Sequence, residues 1–389
     1  MAKKYLPIQF FEKRKDFDDR STEGGGDSRI PSWVLTGACL SQRSSQLVSE
    51  IGELTSKLRQ QKQAGKKLPL LVCTTIEEKA IAKSHRGNIS ALYAEGERSN
   101  VLGFYGNRCL LTMVTNEKTL LGMDQILSDT KNQAKLISSI TNIAPFYPIV
   151  DEYDSNIHYY KIRLVNYNNF DLNFAANILF EQQCFDKGIR IAHKTKYTSD
   201  MTIYRICLDS AEHLNLLSGF EGVYTIEKMF PVEATLDALE QEPTIAPKVP
   251  DENIDYPIVG VLDTGIADNQ FLHEWKIPFT FTNYPDEYRN FAHGTFVSGI
   301  IEYGDELNGN LYTSLPGVRL FDATVYPDET KERIYQDDLI EHIREAVEKH
   351  SDIKIWNLSL GTSDEANIDE FSDFGMALDN IQDENNVLI

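Results

Sequence analysis

The spacing of apolar residues along the chain changes several times, and each change marks a different element. Between residues 44 and 62, Leu47, Val48, Ile51, Leu54 and Leu58 recur at the spacing that lines one face of a helix, with polar residues elsewhere. This predicts an amphipathic helix docked on its own domain, with a partner helix as the alternative. Residues 68–75 read as a buried strand, 76–85 as helical, and 101–105 and 109–114 as strands, followed by a helical stretch to residue 140. The next block is more regular. It reads as strand 159–165, helix 170–185, strand 189–196, strand 201–208, helix 211–218 and strand 222–227. That order is the split βαβ, ferredoxin-like arrangement.

Breaks in the pattern divide the chain. Gly24, Gly25 and Gly26 leave the backbone too free for helix or strand, so the first residues read as an arm or linker. Periodicity is lost again between residues 235 and 256, where Pro243, Pro247 and Pro250 sit among acidic residues as in an exposed connector. The expected organisation is an arm with the amphipathic helix (1–66), an α+β domain (67–150), a ferredoxin-like domain (151–234), a linker (235–255) and an α/β domain (256–389).

Charge supports the division. Residues 251–389 hold 29 of the 59 acidic and 8 of the 38 basic side chains, leaving 30 of each before them, so the net charge of -21 belongs to the last part. Such a surface repels nucleic acid and anionic lipid, and ordinary solubility accounts for it. The five cysteines (Cys39, Cys73, Cys109, Cys184, Cys207) are widely spaced with no Cys-x-x-Cys pair, which argues against a disulfide framework or a zinc site. The basic start lacks an apolar signal-peptide core, and no stretch reaches the roughly 20 apolar residues of a membrane helix. A cytoplasmic protein with reduced cysteines is expected, free of nucleic-acid and membrane partners.

The chemistry lies in the last part. Residues 258–262 form a short apolar run suited to a central parallel strand, ending at Asp263, with Gly265 turning the chain. Catalytic groups collect at that edge of such sheets. His293 follows thirty residues later in His293-Gly294-Thr295-Phe296-Val297-Ser298-Gly299, whose small residues would let a helix pack closely. A carboxylate that accepts the imidazole Nδ1 proton leaves Nε2 free to take a proton from a nucleophile.

Val261-Leu262-Asp263-Thr264-Gly265 and the His293 motif resemble the aspartate and histidine motifs of the subtilisin-like serine peptidases, the subtilases, with Phe296 where a second histidine is common. The resemblance covers residues 256–389. Residues 316–325 resemble the strand after the family's Ala-Pro turn, and residues 337–349 read as the helix that follows. Residues 353–361 resemble the strand that pairs with an extended substrate, which implies Ser359, Leu360 and Gly361 as substrate-binding residues. The fold implied is a parallel-sheet α/β domain, preceded by a ferredoxin-like domain of the kind subtilases carry as a propeptide, with residues 229–242 running toward the cleft. The implied function is endopeptidase action on peptide or protein substrates, with Asp263 and His293 catalytic. The chain start looks like that of bacterial intracellular subtilases, which implies an AAA-type ATPase as partner.

The sequence departs from the family pattern before a nucleophilic serine is met. Residues 371–385 read as a helix and 387–389 as the opening of a strand, so the expectation is a catalytic domain cut near its middle and inactive alone. Ser363 in Gly361-Thr362-Ser363 imitates a serine motif, but Asp364 and Glu365 after it describe a helix N-terminus. The competing readings are a non-catalytic remnant that binds peptides or inhibits a peptidase, and, from Asp-Thr-Gly alone, an aspartic protease. The other histidines (His85, His158, His193, His213, His273, His342, His350) show no metal spacing and are placed on surfaces, and neither metal nor cofactor is expected.

Overall fold

A computed structural model describes residues 30–81, 83–95, 100–106, 108–234, 245–309, 317–361 and 371–389. The amino-terminal arm, much of the connector and Ser363 lie outside the described residues. Three sheets follow one another along the chain.

The amphipathic stripe becomes α1 (Gly37–Gln63), with Leu40, Leu47, Ile51, Leu54 and Leu58 buried. After it come β1 (Leu70–Ile76), α2 (Lys83–Leu92), β2 (Val101–Tyr105), β3 (Cys109–Val114), α3 (Glu117–Ser128), α4 (Ala134–Ser139) and β4 (Ile140–Pro145). The strands form an antiparallel sheet in the order β2-β3-β1-β4. Helix α1 packs on α3, α4 and β4 of its own unit. Residues 76–85 do not form one helix: a single 3₁₀ turn at Glu78–Ala80 precedes α2. The stretch up to residue 140 is two helices, because Asp129 and Asn132 build a polar turn between them, and Ile140 opens β4. The cysteines are not all unpaired. Pairing of β1 with β3 sets Thr75 opposite Cys109, which brings Cys73 and Cys109 to a Cα separation of 5.8 Å, and the two are joined as a disulfide. Distance in sequence hid a neighbourhood that the sheet creates.

The second sheet contains β5 (Ile149–Val150), β6 (Tyr159–Leu164), β7 (Ile191–Thr198), β8 (Met201–Cys207) and β9 (Val223–Lys228), with α5 (Phe170–Asp186) and α6 (Ala211–Ser218) as crossovers. Its order is β5-β9-β6-β8-β7, and β6 pairs antiparallel with both β8 and β9. Both helices start on a side-chain cap, Asn169 accepting from Leu172 N and Ser210 from His213 N.

The third sheet is parallel: β10 (Ile258–Asp263), β11 (Lys276–Thr282), β12 (Arg319–Thr324) and β13 (Ile355–Asn357), in the order β11-β12-β10-β13. Helix α7 (Ala292–Asn308) lies between β11 and β12 in sequence, α8 (Gln336–Lys349) between β12 and β13, and α9 (Asp373–Asn385) after β13. Residues 353–361 yield only the three-residue β13. Leu388 bridges to Ile355 in parallel, beside β13.

The second sheet rests on this α/β unit through β7, which meets α8 and α9. Tyr197 and Ile203 share an apolar core with Ile340, Ile343, Ala377 and Ile381. Charges frame that core. Arg205 donates to both oxygens of Asp338 at 2.7 and 2.9 Å, and Arg163 donates to Asp373 at 2.6 Å. The connector is also anchored rather than merely exposed. Lys248 reaches Glu302 and Glu306 of α7 at 3.2 and 2.8 Å, and its carbonyl accepts from Trp275 Nε1 at 3.0 Å.

Candidate active site

Strand β10 is apolar up to its last residue, so it can be covered on both faces while its carboxyl end opens at the sheet edge. Asp263 ends it and is wholly buried. Its main-chain oxygen accepts from Val325 N at 2.9 Å, which ties it to the chain leaving β12. Gly265 then turns the backbone at φ +105°, a left-handed value that disfavours side chains, and a Cβ there would meet Thr324 Oγ1 at 2.7 Å and the Phe291 ring at 2.9 Å.

That turn lets the start of α7 approach. A Cβ on Gly294 would stand 2.3 Å from Gly265 O, so the helix N-terminus and the β10 turn touch backbone to backbone. Two threonines fasten the contact: Thr264 Oγ1 accepts from Gly294 N at 3.0 Å, and Thr295 Oγ1 accepts from Ala267 N at 2.8 Å. The consequence is the position of His293, whose Nδ1 lies 2.7 Å from Asp263 Oδ1. The same carboxylate oxygen accepts from Thr264 N at 2.7 Å, while Oδ2, also buried, has no hydrogen-bond partner among the described residues. Acceptance of the Nδ1 proton fixes the imidazole tautomer and leaves Nε2 with its lone pair.

Asp322 supports this geometry. Buried in β12, it accepts from Ile266 N at 3.1 Å, with Lys276 Nζ and Arg289 Nη2 at 3.7 and 3.9 Å. Burial pushes its carboxyl above the ordinary aspartate range, opposed by the Ile266 amide and the two cations. Arg289 also lies over the Phe291 ring, 4.7 Å from its centroid, just before α7 begins.

Of the residues singled out in the sequence, Asp263 and His293 are brought into contact. Ser359, Leu360 and Gly361 follow β13, which pairs with β10, so they leave the sheet at the edge where Asp263 ends. Ser359 and Gly361 are exposed, and Leu360 is half-buried against the α8–α9 core. Gly361 is already paired, antiparallel, with Glu233. Sequence reasoning missed Thr264, Thr295 and Asp322 as supports; the signal for the threonines was their place inside the two motifs. It also misplaced some histidines. His342 is half-buried between Tyr284 OH and Val325 O, each 3.1 Å from Nδ1, and His193 is half-buried facing α8.

The profile of the subtilase family matches residues 255–389, the stretch that holds all of this geometry. That stretch belongs to the subtilase family. No curated protein matches the chain. The match starts where the parallel sheet starts and leaves the first two sheets outside it. The family points to serine-peptidase chemistry, and the matched segment holds the Asp263–His293 carboxylate–imidazole pair. Among the described residues, no hydroxyl is hydrogen-bonded to His293, and no helix is long and apolar enough to cross a membrane.

Proposed function

We propose that the subtilase segment carries the base of a serine endopeptidase, with Asp263 orienting His293, and His293 acting as general base and then general acid. The observation that carries this reading is the 2.7 Å contact between a fully buried Asp263 and His293 Nδ1. In an Asp–His–Ser mechanism the imidazole takes the serine proton during attack on the scissile carbonyl and returns it to the leaving amine. Such attack needs a hydroxyl on His293 Nε2, none is hydrogen-bonded to it among the described residues, and this reading holds residues 1–389 to be inactive on peptides by themselves. Extended substrate would pair along Ser359, Leu360 and Gly361.

The second sheet is then a ferredoxin-like domain of propeptide type. Two features support this: its face rests on α8 and α9, and the chain leaving it pairs Pro231 with Tyr335 and Glu233 with Gly361. Val232 N donates to Ile334 O at 2.9 Å, and Tyr326 OH donates to Val232 O at 2.6 Å. A segment so held lies in the lane a substrate would use. The same pairing favours a second reading, a non-catalytic subtilase relative that grips or blocks extended peptides. A cytoplasmic setting and an AAA-type ATPase partner belong to the first reading.

The test is a fluorophosphonate probe applied to the native gene product, with its intact mass measured on the same sample. A labelled species heavier than 44.2 kDa supports the peptidase. An unlabelled species of that mass, which retains extended peptides, supports the binding protein and rejects hydrolysis.

A further inference from the structure

Where the second sheet meets α8, three groups able to bind metal face one another. His193 of β7 and Asp337 and Asp338 of the first turn of α8 each offer one ligand atom, and these atoms lie within 4.8 Å of one another. Acids in the first turn of a helix are ordinary and carry no such meaning alone. Burial without partners sets this group apart. Asp337 is fully buried and neither oxygen makes a hydrogen bond among the described residues; Oδ1 has Arg205 Nη1 at 3.3 Å, and Oδ2 has nothing. His193 Nε2 is likewise buried without a hydrogen bond, facing Glu341 Oε2 at 3.2 Å.

The charges do not balance. Asp337 and Asp338 set two carboxylates against the one guanidinium of Arg205, which is committed to both oxygens of Asp338 and stands 3.3 Å from Asp337. With a neutral imidazole the site is short of one positive charge, and a buried carboxylate so weakly paired is costly. Imidazole nitrogen together with carboxylate oxygen is the donor set of zinc and its first-row neighbours, whereas calcium and magnesium take oxygen alone. We propose that His193, Asp337 and Asp338 bind a divalent transition-metal ion such as Zn²⁺, clasping β7 of the second sheet to α8 of the subtilase segment. The ligand atoms draw in to about 2.0–2.2 Å from the ion. Arg205 keeps its fork on Asp338, which makes Asp338 the weakest of the three. Tyr197, whose buried hydroxyl is also unpartnered, and Arg205 are the other titratable groups facing Asp337.

This inference is independent of peptidase activity, and its test reads binding. The 389-residue chain is stripped with EDTA and titrated with ZnCl₂ by calorimetry, with metal content measured by mass spectrometry and Tm by circular dichroism. One Zn²⁺ per chain and a raised Tm are expected, with at least a ten-fold loss of affinity in both His193→Gln and Asp337→Asn. Absence of one-to-one binding, or binding undiminished in His193→Gln, overturns the proposal. Should Asp337→Asn fail to fold, His193→Gln at its half-exposed position carries the test alone. A Tm that rises on acidification and ignores Zn²⁺ would identify a proton as the partner of Asp337 and overturn it equally.

Discussion

Asp263 and His293 are thirty positions apart, and the distance between them is set by residues that do no chemistry. Gly294 is the tightest of these. In Gly294→Ala the added methyl would lie against Gly265 O, so α7 must move back, and stability in urea should fall by about 1–3 kcal/mol. Asp263→Asn should leave the fold intact and replace a carboxylate that can only accept by an amide that can also donate to Nδ1, so the Nδ1–H tautomer is no longer selected. Nitrogen chemical shifts of His293 should therefore change from one tautomer to a mixture, and an unchanged tautomer would refute the orienting role. Glu302, on the same helix, is a separate case. Burial pushes its carboxyl up to about 7 against the pull of Val318 N and Lys248. A carboxyl raised in the folded state binds more protons folded than unfolded, so stability should fall as pH rises from its ordinary value of 4.5 toward 7. Glu302→Gln should flatten that part of a stability–pH curve, and an unaltered slope would place the titration elsewhere.

At the scale of elements, apolar periodicity was a good guide wherever one face of an element is buried and the other is wet. Helix α1 follows its stripe, β6 alternates buried and half-buried residues at its start, and α6 begins and ends where Ser210 and Gly219 punctuate the pattern. Elements defined by partners rather than by pattern were not legible. The two-residue β5 exists because β9 offers an edge, β11 alternates poorly along its length, and β13 is only as long as its pairing with β10, which ends at Asn357. The most consequential element contact is β7 and β8 on α8. Arg205→Ala would leave the fully buried Asp337 and the partly buried Asp338 without their cation, and a loss of about 3 kcal/mol in unfolding free energy is expected. A change within a few tenths of a kcal/mol would mean that the pair is solvated in solution.

At the scale of the whole molecule, the net charge of -21 carried by residues 251–389 acquires a partner in part. The second sheet presents Lys161, Arg163 and Arg205 to Asp337, Asp338 and Asp373, while Tyr197, Ile203 and Val232 bury apolar surface beside them. A chain cleaved within residues 235–244 should therefore stay associated, with an affinity that falls as salt rises because the ionic contribution is screened and the apolar one is not. Salt-independent association would assign the contact to the apolar core alone. The sequence by itself determined the parallel-sheet segment, the order of its motifs and the pair Asp263 and His293, because those depend on local runs of residue types whose spacing is fixed by strand and helix geometry. It also determined most helices and strands of the second sheet, through burial of one face. Only the tertiary structure decided the rest: that Cys73 meets Cys109, that Asp322 and two threonines brace the site, that Glu233 lies along Gly361, and that His193 faces Asp337. Each of these joins residues through the pairing of strands or the docking of one sheet on another, and such long-range contacts follow from the summed packing of many side chains, which no local pattern records.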